Sequence, residues 1–153
     1  MNTTTDYSGR QVDLCIFPDL QASDTPVDAA FGKAPKVVAG PLMVAQNFAR
    51  FFMTDLGQYP SDPEAGSLFA KSLAQGEIRL PSDLTQLFAM EAFRVVEWML
   101  NNSVDAPSDE RISQVTLLDY DFTGTAIDMT IGIVTKAGDT VSFRLPVTWA
   151  NYS

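Results

Sequence analysis

Apolar residues recur along this chain in two different rhythms, and the change between them divides it. In "GPLMVAQNFARFFMTDLG" the residues Leu42, Ala45, Phe48, Phe52 and Leu56 are spaced by three or four, the signature of one helix face. Pro41 suits the first turn of that helix, and Gly57 is placed to end it. The stretch "SLFAKSLAQG" predicts a second, short helix closed by Gly76. A third is predicted over "PSDLTQLFAMEAFRVVEWMLNN", with Ser82 or Asp83 as N-cap and Asn101 or Asn102 near its end. Its apolar stripe runs through Leu84, Phe88, Val95 and Met99, flanked by Leu87 and Trp98.

Beyond the polar link "NSVDAPSDE" the period falls to two. "RISQVTLLDYDF" alternates Leu118, Tyr120 and Phe122. "AIDMTIGIVT" alternates Ile127, Met129, Ile131 and Ile133, and "TVSFRLPV" alternates Val141, Phe143, Leu145 and Val147. The connectors "TGT" and "KAGD" are too short for anything but antiparallel neighbours. The prediction is an α+β fold: helices first, packed on one face of a C-terminal three-stranded antiparallel meander. Such an open sheet has two edges with unpaired backbone groups, and Pro146, which cannot donate a ladder bond, puts part of the last strand on one of them.

Upstream, Val12, Leu14 and Ile16 alternate in a short strand stopped by Pro18, whereas "MNTTTDYSG" and the segment from Gln21 to Lys36 read as polar terminus and surface loop. The chain therefore divides into an N-terminal extension over 1–37, with one short extra strand, and an α+β domain over 38–153.

Composition narrows the chemistry. A chain of 153 residues, 46% of them hydrophobic, is of single-domain size with enough apolar surface for one core. The formal charge of -9, with no Lys/Arg cluster, argues against nucleic acid as a partner. No apolar run approaches about 18 residues and no signal-like start opens the chain, which predicts a soluble intracellular protein without a membrane partner. With 0 histidines, the serine, cysteine and zinc designs that rely on imidazole are absent. Cys15 sits in an apolar run and reads as a buried thiol. No phosphate loop, CxxC pair or EF-hand spacing is present, so no cofactor or metal is expected.

Carboxylates are the remaining chemistry. Glu91 and Glu97 on the third helix, and Glu64 and Glu77 on loops, raise a glycosidase-like pair as an alternative. Asp55, Asp62 and Glu64 lack the alternating spacing of a calcium loop. These acids read as a solvated surface, and the group Phe48, Phe51, Phe52 reads as helix core, with Phe51 marking a second buried face or a contact surface. The segment "RFFMTDLGQYPSDPEAGS" then stands as a structural corner between two helices. In it Gly57 and Gly66 allow unusual backbone angles, and Pro60 and Pro63 restrict the bend.

Read together, "VAQNFARFFMTDLGQYPSDPEAGSLFAKSLAQGEI" resembles the signature region of the sheath-initiator family of contractile tails, which includes phage baseplate wedge proteins and their type VI secretion counterparts. The matching positions are Gln46, Arg50, Thr54, Gly57 with Gln58, Pro60 with Pro63, and Gly66 with Ser67. The resemblance extends from Val38 to Val147. Where the family opens its first strand with Glu-Pro-Arg-Val, this chain has Asp109, Glu110, Arg111 and Ile112, and Gln58 stands where many members have Glu.

The resemblance implies a virion protein of the tail baseplate, assembled in the host cytoplasm, that initiates the sheath and catalyses nothing. Its implied partners are baseplate wedge proteins, the tail sheath protein and the tail tube, in multiple copies, on the order of six, around a symmetric assembly. It implies further that Asp109, Glu110 and Arg111 hold the wedge core, and that the sheet edge bearing Val141, Phe143, Leu145 and Val147 receives a sheath strand. The family has also been labelled lysozyme-like. A peptidoglycan hydrolase using Glu91 with Glu97, or a regulatory adaptor on the same fold, are the alternatives.

Overall fold

The computed structural model describes residues 13–14, 37–123 and 126–148. Helices α1 (Pro41–Met53), α2 (Phe69–Ala74) and α3 (Pro81–Asn101) precede a single 3-10 turn, Ser108–Glu110. The chain then forms strands β3 (Ile112–Thr123), β4 (Ala126–Thr135) and β5 (Thr140–Thr148), an antiparallel meander in the order β3-β4-β5. Upstream, β1 (Asp13–Leu14) pairs antiparallel with β2 (Val37–Val38). The expected early strand coincides with β1. Val12, Cys15, Ile16, Pro18 and the predicted loop over 21–36 lie outside the described residues.

The α+β arrangement follows from one-sided burial. Every second residue of β4, from Ile127 through Met129, Ile131 and Ile133 to Thr135, is buried, and Phe143, Leu145 and Val147 of β5 share that face. α3 lies across β3, while α1 packs on β4 and β5. Where the layers meet, the ring of Phe52 lies 5.4, 4.7 and 5.3 Å from those of Phe48, Phe69 and Phe88. The predicted stripe of α3 is the buried one: Leu84, Phe88, Val95 and Met99 all belong to the core.

Three local expectations are corrected. Helix α1 ends at Met53 rather than at Gly57, because Thr54 is already extended and its hydroxyl donates to the Arg50 carbonyl. Helix α3 begins at Pro81 with Leu80 as its N-cap residue, so neither Ser82 nor Asp83 is the cap. Asp83 is instead the third helical residue, whose carboxylate reaches back to the N–H groups of Leu80 at 2.9 Å and Arg79 at 3.0 Å.

In β3 Val115, Leu117 and Tyr120 pack against the core, opposite Ile133, Ile131 and Met129, whereas Phe122, opposite Ile127, is 43% exposed. A bulge between Leu117 and Asp119 turns Leu118 to the other face, out of the predicted alternation. There it lies over Gly132, where a Cβ would come within 3.0 Å of a Leu118 methyl carbon. Gly132 thus makes room for the side chain that the bulge displaces.

Candidate functional site

The corner between α1 and α2 is held by a dense set of backbone bonds. Ser67 donates its N–H to the Thr54 carbonyl at 2.8 Å and accepts the Leu56 N–H at 3.0 Å, pairing the two ends of the loop. Gly66 sits in this crossing at φ +110°, and a Cβ there would stand 2.6 Å from the Thr54 oxygen. Only glycine satisfies both the angle and the close approach. Between the ends run two successive turns, closed by Asp62 N–H to Tyr59 O and by Ala65 N–H to Asp62 O. Pro60 and Pro63 each occupy the second position of one of these turns, where a fixed φ is an advantage. Gly57, at φ +85° with nothing near its would-be Cβ, supplies a left-handed residue alone.

Helix α3 pins the same corner from the side. Buried Glu91 accepts the N–H of Leu68, at the start of α2, at 2.8 Å, and the same oxygen lies 3.3 Å from Arg94 Nε. Trp98 Nε1 donates to Asp62 at 3.0 Å, and its ring packs 4.3 Å from Phe51. Phe51 is therefore half-buried on a second face of α1, and the Arg50 guanidinium lies over its ring, 4.9 Å from the centroid.

These contacts bear on the carboxylate alternative. Glu91 is enclosed at 2% exposure and bound to Leu68 and Arg94, whereas Glu97 is exposed on another side of α3. The two do not face one another across a groove. Glu97 instead borders a shallow cleft of about 300 Å³ with Glu64, Arg94 and Trp98. Among the described residues no group of three His, Cys, Asp or Glu could hold a metal, and Asp62 already accepts the Trp98 indole.

Asp109, Glu110 and Arg111 fall at the end of the 3-10 turn and the entry to β3. Arg111 is held there by its N–H to Ser108 O and by the Lys136 N–H on its own carbonyl. Of the three residues that the resemblance assigns to the wedge core, Glu110 is 5% exposed and Arg111 is half-buried. Glu110 Oε1 and Arg111 Nε are both shielded from solvent and make no hydrogen bond. Neighbouring residues thus carry an unpaired acceptor and an unpaired donor, an uncommon arrangement inside a folded chain.

The residues of β5 lie otherwise than a contact surface would require. Phe143, Leu145 and Val147 are buried beneath α1, and Val141 is half-buried at the strand's start. What β5 presents outward is its backbone, with Arg144 and Pro146 exposed between the buried side chains. Among the described residues neither β5 nor β3 pairs with a further strand on its outer side. Phe93 and Met90, each 64% exposed on α3, lie outside the core stripe, and the periodicity of that stripe gives no sign of them.

No family model, curated protein or solved structure matches the chain. No helix among the described residues is long and apolar enough to cross a membrane.

Proposed function

We propose that this chain is a non-enzymatic assembly component, a baseplate wedge protein of a contractile tail that initiates the sheath by accepting strands from sheath subunits at its sheet edges. The observation that carries the reading is a short meander covered by helices on one face and unpaired on both sides among the described residues. Backbone N–H and C=O groups along such an edge form a template for an added strand. The unpaired polar atoms of Glu110 and Arg111 support docking of the 3-10 turn on the wedge core, where a partner's donors and acceptors complete them. The corner joins α1 to α2 and leaves Asp55 and Glu64 exposed for surface contacts.

The test is nucleation. Purified protein, anchored on a tail tube and supplied with sheath monomers, is expected to remove the lag in sheath polymerisation. An unchanged lag with an active sheath preparation overturns the proposal.

A further inference from the structure

The two edges of the meander are not equally prepared for a strand. β5 carries Arg144 and Pro146 on its exposed positions, a cation and a residue without an N–H, both of which discourage edge pairing. β3 contains no Lys, Arg or Pro in its 12 residues. It has two bulges, at Ile112/Gln114 and at Leu117/Asp119, and between them Gln114, Val115, Thr116 and Leu117 pair in unbroken register with β4. Alternate residues of this stretch direct their backbone groups away from β4.

Along the same stretch α3 overhangs the sheet. A groove of about 420 Å³ runs between the helix and residues 113–117 of β3, and it is mostly apolar. Its helical wall combines Phe88 and Ala92 at the border of the core stripe with Thr85, Ala89, Phe93 and Val96 beside it, and the two alanines leave the space. The apolar face of α3 is therefore wider than the sheet beneath it. A helix laid in the groove would cover this apolar wall and leave the β3 amides without partners, whereas a strand satisfies both.

Charge defines the other face of such a strand. Past the second bulge, Asp119 and Asp121 are exposed, and Asp121 stands opposite Asp128, whose ion pair is with Arg144 on the far strand. No basic residue on β3 offsets them, and opposite charges side by side stabilise neighbouring strands.

We infer that the β3 edge, not β5, is the strand-accepting edge. Its occupant is an extended segment of a partner protein with apolar residues at alternate positions seated between β3 and α3, and a Lys or Arg beside Asp119 and Asp121. This rests on the strand-accepting reading of the chain and narrows it to one side of the sheet.

The probe is an acetylated octapeptide with valine at every second position and threonine or lysine between, titrated into the full chain and followed by amide chemical shifts. Shifts are expected at residues 113–117 and at Phe93. Binding should weaken at least ten-fold when every backbone nitrogen of the peptide is methylated, which keeps the side-chain pattern but removes every donor for pairing. It should weaken as much in Ala89→Trp, which fills the groove from an exposed position without entering the core. Shifts centred on 140–148 overturn the assignment to β3 while leaving strand addition standing, and absence of shifts, or equal binding of the N-methylated peptide, overturns the β3 site itself. In the sheath-polymerisation assay, a wild-type chain that nucleates and an Ala89→Trp chain that nucleates equally well count against β3 alone. A wild-type chain that never nucleates counts against the whole reading.

Discussion

The carboxylate of Glu91, in the middle of α3, accepts the backbone N–H of Leu68 at 2.8 Å and so fixes the beginning of α2 against a helix 23 residues further along the chain. The group is 2% exposed, and Arg94 is its ionic neighbour. Replacing it by alanine leaves the partly buried Leu68 N–H without this acceptor. Glu91→Ala is expected to cost about 2–3 kcal/mol, and Glu91→Gln about half of that, since the amide oxygen still accepts. Urea unfolding followed by tryptophan fluorescence measures both, and equal losses would show that the hydrogen bond is not what matters.

Gly66 and Gly57 both have positive φ, but only Gly66 is crowded. Gly57→Ala should cost about 1 kcal/mol, the strain of a left-handed alanine. Gly66→Ala adds a collision with the Thr54 carbonyl and should cost about 3 kcal/mol or more. Thermal unfolding of the two variants side by side separates conformational strain from steric conflict, and a Gly66→Ala protein as stable as Gly57→Ala would refute the crossing geometry.

Trp98 has two attachments, a hydrogen bond to Asp62 and ring packing on Phe51. Trp98→Phe keeps most of the packing and loses the bond, so a loss of about 1 kcal/mol is expected, whereas Trp98→Ala should lose about 3 kcal/mol. In Trp98→Phe, amide exchange should accelerate across 59–65 and stay unchanged in β4. Uniform acceleration over the whole chain would mean that the corner does not open as a separate unit.

Glu110 carries a buried carboxyl oxygen without a partner. Glu110→Met, of similar length and without the orphaned group, is expected to raise the stability of the isolated protein by about 1 kcal/mol while weakening the proposed docking on a wedge partner. Thermal unfolding and co-purification with wedge proteins measure the two effects. A variant that is more stable and binds undiminished would remove Glu110 from the docking site.

The layers of this fold were legible because burial is one-sided. Ile127, Met129, Ile131 and Ile133 repeat at the period of a strand, and Leu84, Phe88, Val95 and Met99 at that of a helix, so each element announced both its type and its inward face. What escaped was set by contacts distant in sequence. Leu118 fits the alternation with Tyr120, and only the bulge beside Asp119, with space over Gly132, turns it outward. Glu91 looks like any helical surface acid until α2 folds against it. The sheet edges followed from short connectors, but the groove beside β3 did not, since it depends on how far α3 extends past the strand. The buried state of Glu110 carried no signal in the sequence at all.

Electron cryomicroscopy of the intact tail tip tests the central claim most directly. The meander of this chain is expected there as part of a larger sheet, with a strand from a sheath subunit hydrogen-bonded along the outer side of β3 and its apolar side chains under α3. A tail tip in which the chain is present and both sheet edges face solvent, or in which the chain is absent, would contradict it.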